Sequence, residues 1–290
     1  MVHVANNHTN IIYVERDGEV LLEKPHSDSA EDNLQDKSVL NVRDILTFAE
    51  TVDVSRIEDS VGRQIDCNTA IAREGLRGDW GANIGSTLLL SGGDVETEAR
   101  AWAAAGSDAR MNGCALPVAI VCGSGNQGIT CALPVMEYAE YLRCDHERLV
   151  RAVMLSDLIA VHIKSYIGAL SAFCGAICAS CGAGAAITWL CGGTREQIGA
   201  TVSNTLGNVG GIVCDGAKAS CAAKISAAVD AAILGHDMAM QGRGFRAGEG
   251  LIQDTVEETI ASMGYVGRVG MKDTDVEILN IMIGKTIVDC

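Results

Sequence analysis

Proline is nearly missing from this chain, and basic residues are outnumbered. Three prolines in 290 residues (Pro25, Pro117 and Pro134) leave long helices uninterrupted. Aromatics make up only 4%, so a core has to be built from Ala, Val, Ile, Leu and Gly. Lys and Arg number 22 against 37 Asp and Glu, a net charge of −15. That balance argues against a nucleic acid or a membrane surface as partner, because phosphates are held by Lys and Arg. The opening MVHVANNHTN has neither a basic segment nor an apolar one, so it does not read as a secretory signal. Hydrophobic residues are 48% of the chain, enough for a globular core that needs no disulfide staples. The twelve cysteines therefore read as reduced thiols, and the expected compartment is cytoplasmic.

Charge is also absent locally. No charged residue occurs between Lys164 and Arg195, a run dominated by Gly, Ala, Ser and Cys. The stretch 164–224 holds six of the twelve cysteines and organises the rest of the reading. The uncharged run is long enough to cross a bilayer, but it is poor in strongly lipophilic residues and has no asymmetric basic flank. It reads as a buried helix, as does the uncharged stretch 111–136.

Taken in order, residues 2–24 hold two β-prone runs joined at Asp17-Gly18, a hairpin signal. Residues 25–39 are polar and unpatterned, a linker. A hairpin alone is barely stable in water. A partial β element with linker is thus expected over 1–39, either packed on the helices or missing an N-terminal partner. From residue 40 to 290 the pattern is helical. Asn41, Asp53 or Ser55, Asp94, Asp145 and Thr194 are the expected N-caps. Gly106 is the expected stop of a helix over 94–105. Helices are expected to restart at 128 and to run over 145–166, 170–191, 194–206 and 217–240, with two more near 250–263 and 273–285. No strand–helix alternation follows residue 40, so the class is mainly α with a small N-terminal β element.

Two cysteine clusters carry possible chemistry. Cys174, Cys178 and Cys181 have the CxxxCxxC spacing by which radical S-adenosylmethionine enzymes hold a four-iron cluster. Those enzymes carry it in a loop after the first strand of a barrel, whereas this one lies in an Ala/Gly helical run. Cys178 and Cys181 therefore read as packing residues. Cys214 and Cys221, seven apart, span a glycine turn and the start of a helix, whose N-terminus favours thiolate. A third thiol from the cysteine-rich helix would complete a three-cysteine site.

Gly123-Ser124-Gly125-Asn126-Gln127-Gly128, then Lys164-Ser-Tyr-Ile-Gly with Cys174, then the run from Asn204 to Cys221 together resemble the L-cysteine desulfidase family. That family is related to the α domain of iron–sulfur L-serine dehydratases. The resemblance covers most of the chain, from His8 onward. It implies a [4Fe–4S] cluster held by Cys174, Cys214 and Cys221, and β-elimination of L-cysteine to pyruvate, ammonia and sulfide. The chain departs from the family in lacking a Gly-Cys-Thr-Glu-Pro segment near the N-terminus. A truncated or separately completed enzyme is therefore expected, or a cluster-binding relative without activity.

Ser124, Asn126, Gln127 and Lys164 are the candidate substrate-binding residues, the first three on a glycine loop whose N–H groups suit a carboxylate. That loop reads equally as a tight turn between helices. His162 reads as a core histidine before a site group, and His8 as either a substrate contact or an exposed turn residue. Cys67, Cys114, Cys122, Cys131, Cys144, Cys191 and Cys290 read as packing or surface residues. No residue is assigned as the base. The expected partner is a small amino acid, with a homodimer or a separately encoded N-terminal portion as further possibilities, and serine remains open beside cysteine as substrate.

Overall fold

The computed structural model describes residues 1–4, 10–25, 36–168 and 171–286. His8 and Cys290 lie outside the described residues, as does most of the expected linker. The β element has three antiparallel strands, β1 (Val2–Val4), β2 (Ile11–Arg16) and β3 (Glu19–Glu23), in the order β1-β2-β3. His3 faces Tyr13 across the first pair, and Val14 faces Leu22 across the second. Asp17 and Gly18 close the hairpin with φ of 54° and 85°, the left-handed pair that a two-residue turn requires.

Eleven α-helices follow among the described residues. They are α1 (Val42–Thr51), α2 (Glu58–Arg77), α3 (Ile84–Leu89), α4 (Val95–Met111), α5 (Gly125–Tyr141) and α6 (His146–Ile167). Then come α7 (Gly175–Leu190), α8 (Arg195–Val209), α9 (Cys221–Met240), α10 (Val256–Tyr265) and α11 (Lys272–Met282). Asn41, Asp94, Asp145 and Thr194 each accept a backbone N–H at the expected helix start. Asp53 caps a short 3-10 turn instead, and α2 begins after it at Glu58. Gly106 does not end α4, which runs on to Met111. Its missing side chain is used in packing: a Cβ there would sit 3.1 Å from Ile129 Cγ2 of α5. α5 likewise starts three residues before the expected Gly128.

α7 is the centre of the bundle, flanked by α5, α6, α8 and α9. Every residue from Ala176 to Thr188 is buried, which explains the uncharged run: no face of this helix meets water. Its glycines let neighbours approach. A Cβ on Gly182 would lie 2.2 Å from the Ser156 carbonyl oxygen of α6. Fully buried Ile177 and Ile187 each contribute about 1.5–3 kcal/mol relative to exposure. Among the described residues no helix is long and apolar enough to cross a membrane.

Candidate metal centre

Three loops at one end of the bundle build a cavity of about 530 Å³. The first precedes α5. Cys122 and Gly123 take φ of 52° and 79°, and Val121 and Ser124 exchange backbone hydrogen bonds at 3.0 and 3.2 Å. This tight turn delivers Ser124 to the N-cap of α5 and Asn126 and Gln127 to its first turn. The Ser124 side chain makes no cap bond, so the N–H groups of that turn have no side-chain acceptor from it.

The second and third loops are tied together. Phe173 and Val213 form an isolated antiparallel bridge. The Cys174 N–H donates to the Ile212 carbonyl at 3.1 Å, and the Cys214 N–H to the Ala172 carbonyl at 2.6 Å. Ser171 Oγ receives the Phe173 N–H and donates to the Gly267 carbonyl, which fixes the approach to α7. Cys174 becomes the N-cap of α7, and Cys214 its neighbour across the bridge. Gly216, at φ of 86°, then turns the chain toward α9, whose first residue is Cys221. Cys174, Cys214 and Cys221 all line the cavity.

The thiols differ in charge. A hydrogen bond with Cys214, followed by burial, pushes the Cys174 thiol up. The same bond pulls Cys214 down, against its burial, helped by the Gly216 backbone and the charges of Lys224 and Lys164. The two thiols are thus shifted in opposite directions, Cys214 toward thiolate and Cys174 toward thiol. Lys224 is itself held by an ion pair with Asp215.

Among the described residues no group of three or more His, Cys, Asp or Glu side chains is arranged to hold a single metal ion. A four-iron cube is larger than one ion and spreads its outer thiolates further apart. The donor set of three sulfurs from three segments fits soft iron, and the cavity lies in the range of small-ligand sites. The residues present therefore fit a cluster held by three cysteines.

Of the predicted substrate-binding residues, Ser124, Asn126, Gln127 and Lys164 all line this cavity. Gln127 is buried, and its Oε1 has no hydrogen-bond partner there. His162 does not join them: its Nε2 lies 2.7 Å from Glu257 Oε2, pinning α10 to α6. Cys178 and Cys181 are fully buried in α7 away from the cavity, where burial pushes Cys178 up to about 11. Gly207, Gly210 and Gly211, expected beside Cys214, border a separate depression with Phe245 and Met263. Sequence reasoning missed Arg110, at the end of α4, and Asp275, Leu279 and Met282 of α11, which also line the cavity.

This fold and site belong to a known class. The chain is a member of the serine dehydratase alpha chain family, which matches residues 13–280. A UPF0597 protein of Desulfitobacterium hafniense is 50% identical over 285 residues, covering 98% of this chain and 66% of that protein. One from Lachnoclostridium phytofermentans is 51% identical over 284 residues, covering 98% and 68%, and one from Finegoldia magna is 45% identical over 285 residues, covering 98% and 68%. The chain spans about two thirds of the length of these curated relatives.

Proposed function

We propose that this chain carries a [4Fe–4S]-dependent lyase site that takes L-cysteine to pyruvate, ammonia and hydrogen sulfide. The observation that carries the reading is the convergence of Cys174, Cys214 and Cys221, from separate segments, on one cavity beside the first turn of α5. Those three cysteines would hold the cluster. When bound by three thiolates, such a cluster keeps one iron open as a Lewis acid for the substituent leaving Cβ.

The chain's own residues do the rest. The open N–H groups at the start of α5 orient an anionic substrate, and Asn126 and Gln127 offer amides to its polar groups. Lys164 brings its amine to the same space from the last turn of α6. Burial of Cys174 limits water around the departing group. Loss of the Cα proton and of the Cβ substituent gives aminoacrylate, which hydrolyses to pyruvate and ammonia.

The family description favours L-serine as a second reading, since water can leave from the same carbon. A sulfur leaving group suits soft iron better. The test is anaerobic reconstitution, iron and acid-labile sulfide analysis, and pyruvate assay with each amino acid. About four irons per chain and a higher kcat/KM for L-cysteine are expected. Iron-loaded protein that makes pyruvate only from L-serine establishes the second reading, and absence of iron binding overturns both.

A further inference from the structure

Arg110 has what a bound carboxylate needs and no protein carboxylate to bind. It sits in the last turn of α4, and its side chain runs across the backbone of Gly125. A Cβ on Gly125 would lie 2.4 Å from Arg110 Nε and 3.0 Å from Cδ, so glycine there keeps the track open. The track ends in the cavity, beside Ser124, Asn126 and Cys221. Other arginines of the chain have acidic partners, such as Arg100 with Asp230 and Arg151 with Glu147. Arg110 donates through Nη1 to Asn126 Oδ1 at 3.3 Å and makes a long contact with Met111 Sδ at 3.9 Å. Among the described residues, Nε and Nη2 have no acceptor.

We propose that Arg110 is the anchor for the substrate's α-carboxylate, with the guanidinium fork and the first-turn N–H groups of α5 closing on one anion. A guanidinium matches a carboxylate with two parallel bonds, and partial burial makes an unpaired one costly to keep. Asn126 steers the fork toward the helix N-terminus, where the dipole adds to the same attraction. Lys164 enters the same cavity from α6, where its charge also falls on Cys214. The identity of the anion as an amino acid rests on the elimination reading. The alternative role for Arg110 is balancing the charge of the cysteine thiolates.

The test titrates L-alanine, which keeps the α-carboxylate but has nothing to eliminate, into the reconstituted full chain. L-Alaninamide, which lacks the carboxylate, is the control. Wild type is expected to bind L-alanine and not L-alaninamide. Arg110→Met should weaken L-alanine binding at least about tenfold, and Arg110→Lys by less, since the charge survives without the fork. Iron content should stay at the wild-type level in both, and KM for L-cysteine should rise. Unchanged binding in Arg110→Met, loss of its iron, or absence of L-alanine binding by wild type overturns the proposal. If Arg110→Met fails to fold, Arg110→Lys decides by the same criteria. L-Alanine binding through Arg110 without pyruvate from either amino acid sinks the elimination reading and leaves the anchor. Pyruvate formation with an unchanged KM in Arg110→Met does the reverse.

Discussion

Cys174 and Cys178 are four residues apart, yet they occupy different chemical worlds. Cys174 is the N-cap residue of α7 and lines the cavity together with Cys214. Cys178 and Cys181 lie inside the same helix, fully buried among α5 and α6. Their difference comes from what precedes the helix. The Phe173–Val213 bridge holds the N-cap residue of α7 against the loop that carries Cys214, whereas the following turns are enclosed on all sides. A thiol reaches the cavity where a loop frees it from the helix, and serves as a small packing group where the helix keeps it.

The largest effect should separate these two sets outright. Cys174→Ser, Cys214→Ser and Cys221→Ser are each expected to lose nearly all iron after anaerobic reconstitution, because a hydroxyl is a hard, protonated and poor iron ligand. Cys178→Ser and Cys181→Ser should keep most of it, with a stability loss of about 1–3 kcal/mol from a buried hydroxyl. Iron retention with the opposite dependence would end the comparison.

Gly182→Ala probes the enclosed side alone. Its Cβ meets the Ser156 carbonyl oxygen at 2.2 Å, so denaturant unfolding should register a loss of about 1–3 kcal/mol. Iron content per folded chain should not change. Thr194→Ala removes the hydroxyl that accepts the Gln197 N–H at the start of α8, leaving the backbone N–H at position 194 bonded to the Gln197 side chain, and the same measurement should give about 1 kcal/mol.

The smallest effect concerns His162, which is a structural tie and not a cavity group. Burial works against the Glu257 charge, but hydrogen bonds from His162 and the Val42 N–H outweigh it and hold the carboxyl below its ordinary 4.5. A carboxyl depressed on folding stabilises fully above 4.5, and that contribution fades as pH falls through the lower folded value. Glu257→Gln should slightly flatten the acid limb of stability below pH 4.5, since Glu257 itself is partly exposed. An unchanged acid limb would remove Glu257 from this role.

Much of the helix pattern was legible because capping is local. Asn41, Asp94, Asp145 and Thr194 announce their helices through side chains that bond two or three residues ahead. Asp17-Gly18 announced its turn in the same way. Gly106 misled because a glycine near a helix end reads as a stop, and only the distant Ile129 explains why it continues. The cysteine trio was legible through the family resemblance, and the bridge that unites Cys174 with Cys214 was not, since one-residue strands leave no alternation to read. Arg110 had one weak signal. Gly106, Ser107, Gly113 and Cys114 stand three and four residues from it, so it has no acidic helix neighbour to occupy it.

The Phe173–Val213 bridge also sets an order of assembly. Two whole helices, α7 and α8, separate its halves, so the pairing closes only after that helical hairpin exists. During synthesis Cys174 leaves the ribosome well before Cys214 and Cys221 have been added. A nascent chain that ends within α8 has one of the three thiols and no partner for the Phe173 bridge. The cavity lined by the three cysteines is therefore a late product of folding, complete only when α9 begins, and it reports on completion of the bundle behind it.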